Sequence, residues 1–289
     1  MSSPGIRQRP RGELVDTMGW LWDMCGKPTV AGISVGNLRD SPVRPRVLWM
    51  LGGVLGRLPL HACGNYSENA AGQWKYQGGM ADSVVSCYIS TLKSFSFARR
   101  QAAKLRGEAA AGKALVVGAT LAGMEGEARE VGMLLGDSDT SQVLLNPSFA
   151  DMMAALPVSS ISQFVCHGIS DAKTPIRSFL KLPDYKTNPL NVGALMALKM
   201  SCGLAYLSAC ETAASKRGEL VDESLHLLSG FLLAGCPRVV GTLWGIPDGQ
   251  AVRVATSFYR RLPWKEGRRW LRGCSWVLCT RRSVRCEAH

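Results

Sequence analysis

From Lys113 onward the chain alternates short, largely apolar runs with stretches of helical periodicity, and that alternation leaves few folds open. Ala114–Gly118, Ser141–Leu145, Ser162–Cys166, Leu204–Ser208 and Arg238–Leu243 have the length and composition of strands. Glu125–Leu135 and Gly249–Arg261 have the spacing of helices, and so does the short Phe149–Leu156, which Pro157 stops by lacking an N–H. Asp222–Ala234 is a further helix, with Asp222 as N-cap, Leu225, Leu228 and Leu232 on one face, and Gly235 at its end. Apolar strands separated by helices are joined by crossovers, so the strands run parallel and the helices cover the sheet. Reactive groups of such sheets gather at the carboxyl ends of the strands. His167 directly follows one of these strands and Cys210 another.

Upstream the pattern is looser. Residues 1–13 are rich in Pro, Gly and Arg and are expected to be a disordered lead-in. Leu14–Met24 reads as a short helix carrying Trp20 and Trp22, and Val47–Leu51 as a strand before Gly52-Gly53. Asn65–Ala81, polar and Gly-rich, reads as a loop, and Thr91–Ala111 as a helix. A chain of 289 residues, 46% hydrophobic and 19% charged, can bury a core, which excludes a wholly disordered protein. Its longest apolar runs, Val47–Leu55 and Leu227–Cys236, fall short of the roughly 18 residues of a membrane span, so no membrane partner is expected. The N-terminus lacks the apolar core of a secretory signal, and a cytoplasmic protein is expected.

The net charge of +12 is uneven: Arg253–His289 holds ten Lys or Arg against two Asp or Glu, and so carries +8 of it. That stretch has no recognisable reading motif of a nucleic-acid binder, which disfavours such a partner. Most of the ten cysteines, such as Cys166, Cys202 and Cys236, sit in or beside apolar runs, as small hydrophobes of a reduced protein do. Cys274, Cys279, Cys286 and His289 are separated by four, six and two residues, which fits no common zinc finger, so no metal is expected.

A cysteine nucleophile requires a base, an exposed position and donors for the developing oxyanion. His167 can serve as the base for Cys210, 43 residues later. Gly168 lets a substrate carbonyl approach the backbone, and its N–H with that of Cys210 would form the oxyanion hole. A neighbouring imidazolium would also populate the thiolate. Among ten cysteines and four histidines such a pair arises by chance, so spacing alone does not separate catalysis from core packing. His61, in the Leu58–Ala62 run, reads as structural, and His226, in mid-helix, as packing or surface. Cys166 adjoins His167, but strand alternation directs it to the opposite face.

Five ordered blocks resemble the CHAT domain, a caspase-related family in the clan that includes caspases and separases. FVCHGISD (164–171) resembles its His-Gly block, and LAYLSACETA (204–213) its nucleophile block. VDESLHLLSGFLLAGCPRVVGTLWGIPD (221–248) is similar to the helix–strand stretch that follows, particularly in fungal-type members. PRVLWMLGGVLGRLPLHACG (45–64) and SVVSCYISTLKSFSFAR (83–99) resemble the upstream half.

The resemblance implies a three-layer α/β caspase-like fold with a mostly parallel sheet, spanning residues 14–262. Its peptidase core would be residues 113–262, with the N-terminal half as a related layer packed on it. It further implies a cysteine endopeptidase with His167 and Cys210 as catalytic pair, Gly168 and Cys210 as oxyanion donors, and no cofactor. Protein substrates and helical-repeat regulatory proteins are the partners it implies. Separases cut after arginine and use an acidic residue in a Leu-Trp-x-x-x-Asp setting. Asp248 stands in that setting here, so a basic residue before the cleaved bond is expected; Asp248 as the cap of the following helix is the competing reading. Residues 263–289 depart from the family pattern, being irregular, basic and rich in Trp and Cys where members carry a further amphipathic helix. The alternative is a catalytically silent CHAT-like module for protein interaction or signalling.

Overall fold

The computed structural model describes residues 11–34, 44–52, 55–56, 58–70, 72–107, 112–119, 124–169, 171, 173–208, 223–242 and 248–261. Their contacts divide them into two compact units, one drawn from residues 11–49 and 58–87, the other from 50–57 and 88–261.

The first unit begins with α1 (Arg11–Leu21), a π-helical turn over Trp22–Gly26, and α2 (Lys27–Ser34), so the helical segment extends well past the expected Met24. At Gly26 a Cβ would collide with the Trp22 ring and lie 2.9 Å from Cys63 Sγ, so only glycine lets the buried indole close over the turn. β1 (Arg46–Trp49) follows. The polar stretch expected to be a loop is an antiparallel hairpin instead, β2 (Gly64–Glu68) with β3 (Trp74–Gly79). Its cohesion comes from Tyr66 and Tyr76, opposite one another and packed edge-to-face with ring centroids 5.3 Å apart. Asn69 closes the turn: its Oδ1 accepts from Gln73 N at 2.8 Å. A single turn, α3 (Met80–Ser83), leads to β4 (Val85–Tyr88), which pairs with β1.

The second unit is built on a parallel sheet. α4 (Leu92–Gly107) precedes β5 (Ala114–Gly118), α5 (Met124–Leu135), β6 (Ser141–Leu145), α6 (Phe149–Ala155) and β7 (Ile161–Val165). Two-residue strands β8 (Gly168–Ile169), β9 (Phe179–Leu180) and β10 (Leu190–Asn191) form a small antiparallel sheet. α7 (Val192–Ala197), β11 (Leu204–Leu207), α8 (Glu223–Leu233), β12 (Val239–Val240) and α9 (Asp248–Arg261) complete the order. The main sheet runs β12-β11-β7-β5-β6, and every pairing in it is parallel.

Helices cover both faces, which is why β5, β7 and β11 are buried along their whole length. On one face Leu115, Val117, Phe164, Cys166 and Leu207 pack with Met152 of α6, Leu195 of α7 and Phe231 of α8. On the other, α5 and α9 pack together and Tyr206 meets Phe258 and Tyr259 at centroid distances of 5.1 and 5.7 Å. Gln163 is buried on that face, and its Oε1 accepts from the Tyr259 hydroxyl at 2.8 Å. At the amino ends of the strands lies a buried polar chain. Ser159 Oγ is 2.8 Å from Ser162 Oγ, which is 3.6 Å from Cys202 Sγ; Cys236 Sγ donates to Cys202 Sγ at 3.2 Å. No described helix is long and apolar enough to cross a membrane.

Candidate active site

Three strands fix the carboxyl end of the sheet. Beyond the last paired residues, Ala119 N donates to Val165 O at 3.1 Å and Ser208 N to Phe164 O at 2.9 Å. The end of β7 is therefore tied to β5 on one side and β11 on the other. Cys166, the next residue, is buried in the helix-covered core, as alternation requires, while the His167 side chain is only partly buried. The main chain of His167 is anchored in turn, its carbonyl accepting from Lys181 N at 2.8 Å.

That last bond determines the character of the β8–β9 pairing. Gly168 stands opposite Leu180, and a bond from Lys181 to the residue before Gly168 marks the pair as non-hydrogen-bonded. The Gly168 N–H is thus directed away from β9. The loop that follows is shaped by Asp171, whose Oδ1 accepts from Lys173 N at 3.0 Å and Thr174 N at 2.9 Å. Its own N–H donates to Ser178 Oγ at 3.0 Å.

Of the residues singled out from sequence, His167 and Gly168 sit together at the end of β7, and Asp248 opens α9, one residue earlier than the expected helix start. Cys210, the side chain of Asp248 and the tail residues Cys274, Cys279, Cys286 and His289 lie outside the described residues. Among the described residues no three His, Cys, Asp or Glu gather as a metal ion would require.

One residue close to this end was not anticipated. Glu127 of α5 is buried, and its Oε1 accepts a hydrogen bond from the hydroxyl of Ser208. The signal was present in the helical spacing: Glu127 shares a face with Val131 and Leu135, both fully buried. Elsewhere burial suppresses thiol ionisation. It pushes Cys236 well above the ordinary range, helped by its bond to Cys202, and pushes Cys63 and Cys87 up to about 11.

The family model described as the CHAT domain matches residues 15–270, most of the chain. No curated protein matches it.

Proposed function

We propose, from the premise that this chain belongs to the CHAT-domain family, that it is a cysteine endopeptidase acting on protein substrates. Membership carries the caspase-like α/β fold, with the parallel sheet flanked by helices. One observation supports the activity most. Phe164 and Leu207 are partners in the β7–β11 ladder, and His167 and Cys210 each follow their partner by three positions. A base and a thiol that follow paired residues of adjacent strands by the same number of positions suit what nucleophilic catalysis needs. The direction of the Gly168 N–H, away from β9, leaves it available to an oxyanion.

In this mechanism the Cys210 thiolate adds to the scissile carbonyl, forming the C–S bond and placing the electron pair on oxygen. The N–H groups of Gly168 and Cys210 hold that oxygen. Collapse breaks the C–N bond while imidazolium His167 protonates the leaving amine. Neutral His167 then takes a proton from water, which attacks the thioester and returns the thiol. Asp248 supplies the counter-charge for a basic side chain before the cleaved bond.

The test is labelling of the purified protein by a peptidyl electrophile carrying Arg, with the modified residue located by mass spectrometry. Labelling confined to Cys210, lost in Cys210→Ala and in His167→Ala, is expected. A wild-type protein that neither labels nor cleaves supports the second reading, a silent interaction module, which the non-periodic segment 264–289 favours.

A further inference from the structure

Ser208 is held from two directions. Its N–H donates to Phe164 O at 2.9 Å, on the strand that carries His167, and its hydroxyl donates to Oε1 of Glu127 on α5. Both side chains are shut off from water, Ser208 at 1% exposure and Glu127 at 3%. A buried carboxylate carries a desolvation penalty that an apolar residue of similar size would avoid. Helix–sheet packing alone, already supplied by Ala128, Val131 and Leu135, gives no reason for a glutamate here. Its place in the first turn of α5, where backbone N–H groups favour negative charge, suits it to the acceptor role. Ser208 precedes Cys210 by two residues, so what fixes Ser208 fixes the start of the nucleophile segment.

We infer that Glu127 is a positioning residue for the nucleophile, acting through Ser208 to set where and in which direction the chain leaves β11 towards Cys210. The inference rests on the peptidase reading of Cys210. A carboxylate is suited to this because a charge-assisted hydrogen bond is stronger and more directional than a neutral one. Misplacement of a reacting group by about 1 Å lowers rate on the order of 100-fold, whereas substrate binding elsewhere in the cleft is untouched.

Steady-state cleavage of an Arg peptide and site-resolved labelling of Cys210 are therefore measured together on wild type, Ser208→Ala, Glu127→Ala, Glu127→Gln and the double alanine variant. Ser208→Ala and Glu127→Ala are each expected to lower kcat and the labelling rate about 100-fold, with KM within about threefold of wild type. Glu127→Gln keeps an acceptor oxygen and should recover kcat to within about threefold. The double variant should be no slower than the slower single one, since both remove the same bond. Should Glu127→Ala fail to fold, Ser208→Ala and Glu127→Gln still carry the test. A Ser208→Ala protein that melts earlier but keeps wild-type kcat and labelling overturns the inference and leaves the peptidase reading intact. A wild type that is inert to both assays overturns that reading, and this inference with it.

Discussion

At the amino ends of the strands, Ser159, Ser162, Cys202 and Cys236 make a continuous chain of hydrogen bonds inside the core. At the carboxyl ends lie Ser208 and the only partly buried His167, and in the sequence the same pair of residue types recurs as Ser208 and Cys210. Thiol chemistry therefore does not follow from residue type. Cys202 and Cys236 are spent on one another and on the carbonyls of Leu204 and Arg238, and burial keeps Cys236 protonated. At the far end the partly buried side chain is the imidazole of His167, the base of the proposed mechanism. One end of the sheet is tied together by buried polar groups, and the other is where the proposed function places the reaction.

That contrast is broken most directly by exchanging roles. Cys210→Ala and His167→Ala should each lower cleavage by about 10³-fold or more, with little change in the denaturant midpoint. Cys202→Ala should do the reverse. It removes the thiol that Ser162 and Cys236 share and empties part of the core, lowering stability by about 1–3 kcal/mol in urea titration while cleavage by the folded fraction persists. Activity loss from Cys202→Ala without loss of stability would end the distinction between the two ends.

Specificity sharpens it further. In Asp248→Ala the preference for Arg over Leu before the cleaved bond should fall about 100-fold, because a guanidinium would lose its counter-charge. A profile of Arg, Lys, Asp and Leu peptides reads this directly, and an unchanged Arg preference removes Asp248 from the pocket.

Alkylation gives a smaller effect at a different place. Cys63 and Cys87, pushed up to about 11 by burial, hold about 100-fold less thiolate at pH 8 than thiols at the ordinary 9.0. Iodoacetamide should modify them at least that much more slowly than the same residues in urea-unfolded protein. Equal rates would show that these thiols are not shielded.

The smallest effect belongs to His61, whose burial lowers it from 6.5 to about 4. Between those values the unfolded chain binds more protons than the folded one, so this contribution is complete above pH 6.5 and is lost as pH falls towards 4. The loss amounts to about 1.3 kcal/mol between pH 7.5 and 5.5. Urea titrations of wild type and His61→Asn at the two pH values should differ by about that amount, and parallel curves would show that His61 titrates normally.

The parts of this molecule most legible in sequence are the longer strands and helices of the parallel-sheet unit. β5, β7 and β11 lie within a residue or two of where their apolar runs put them, as do α5 and α9. The parallel arrangement followed from the helices between the strands. The β2–β3 hairpin was not legible because glycines replace the usual apolar residues: Gly64 faces Gly79, where a Cβ on either would meet the opposite backbone. Strands of two residues, as in β8–β10, are too short for any periodicity, whereas β12 lies inside the expected Arg238–Leu243 run. In the candidate site, His167 and Gly168 were found by their position after a strand. Glu127 was passed over because a glutamate in an amphipathic helix is ordinarily on the water side.

The ladder between β7 and β11 also sets a clock. Parallel neighbours cannot be joined by a tight turn, and here the small sheet and α7 intervene between them. During synthesis at about 5–20 residues per second, the 43 residues from His167 to Cys210 take roughly 2–9 s to emerge. Throughout that interval the ribosome presents a histidine strand with no β11 beside it. The β7–β11 pairing is therefore one of the last the sheet makes, and under the proposed function cleavage waits for it.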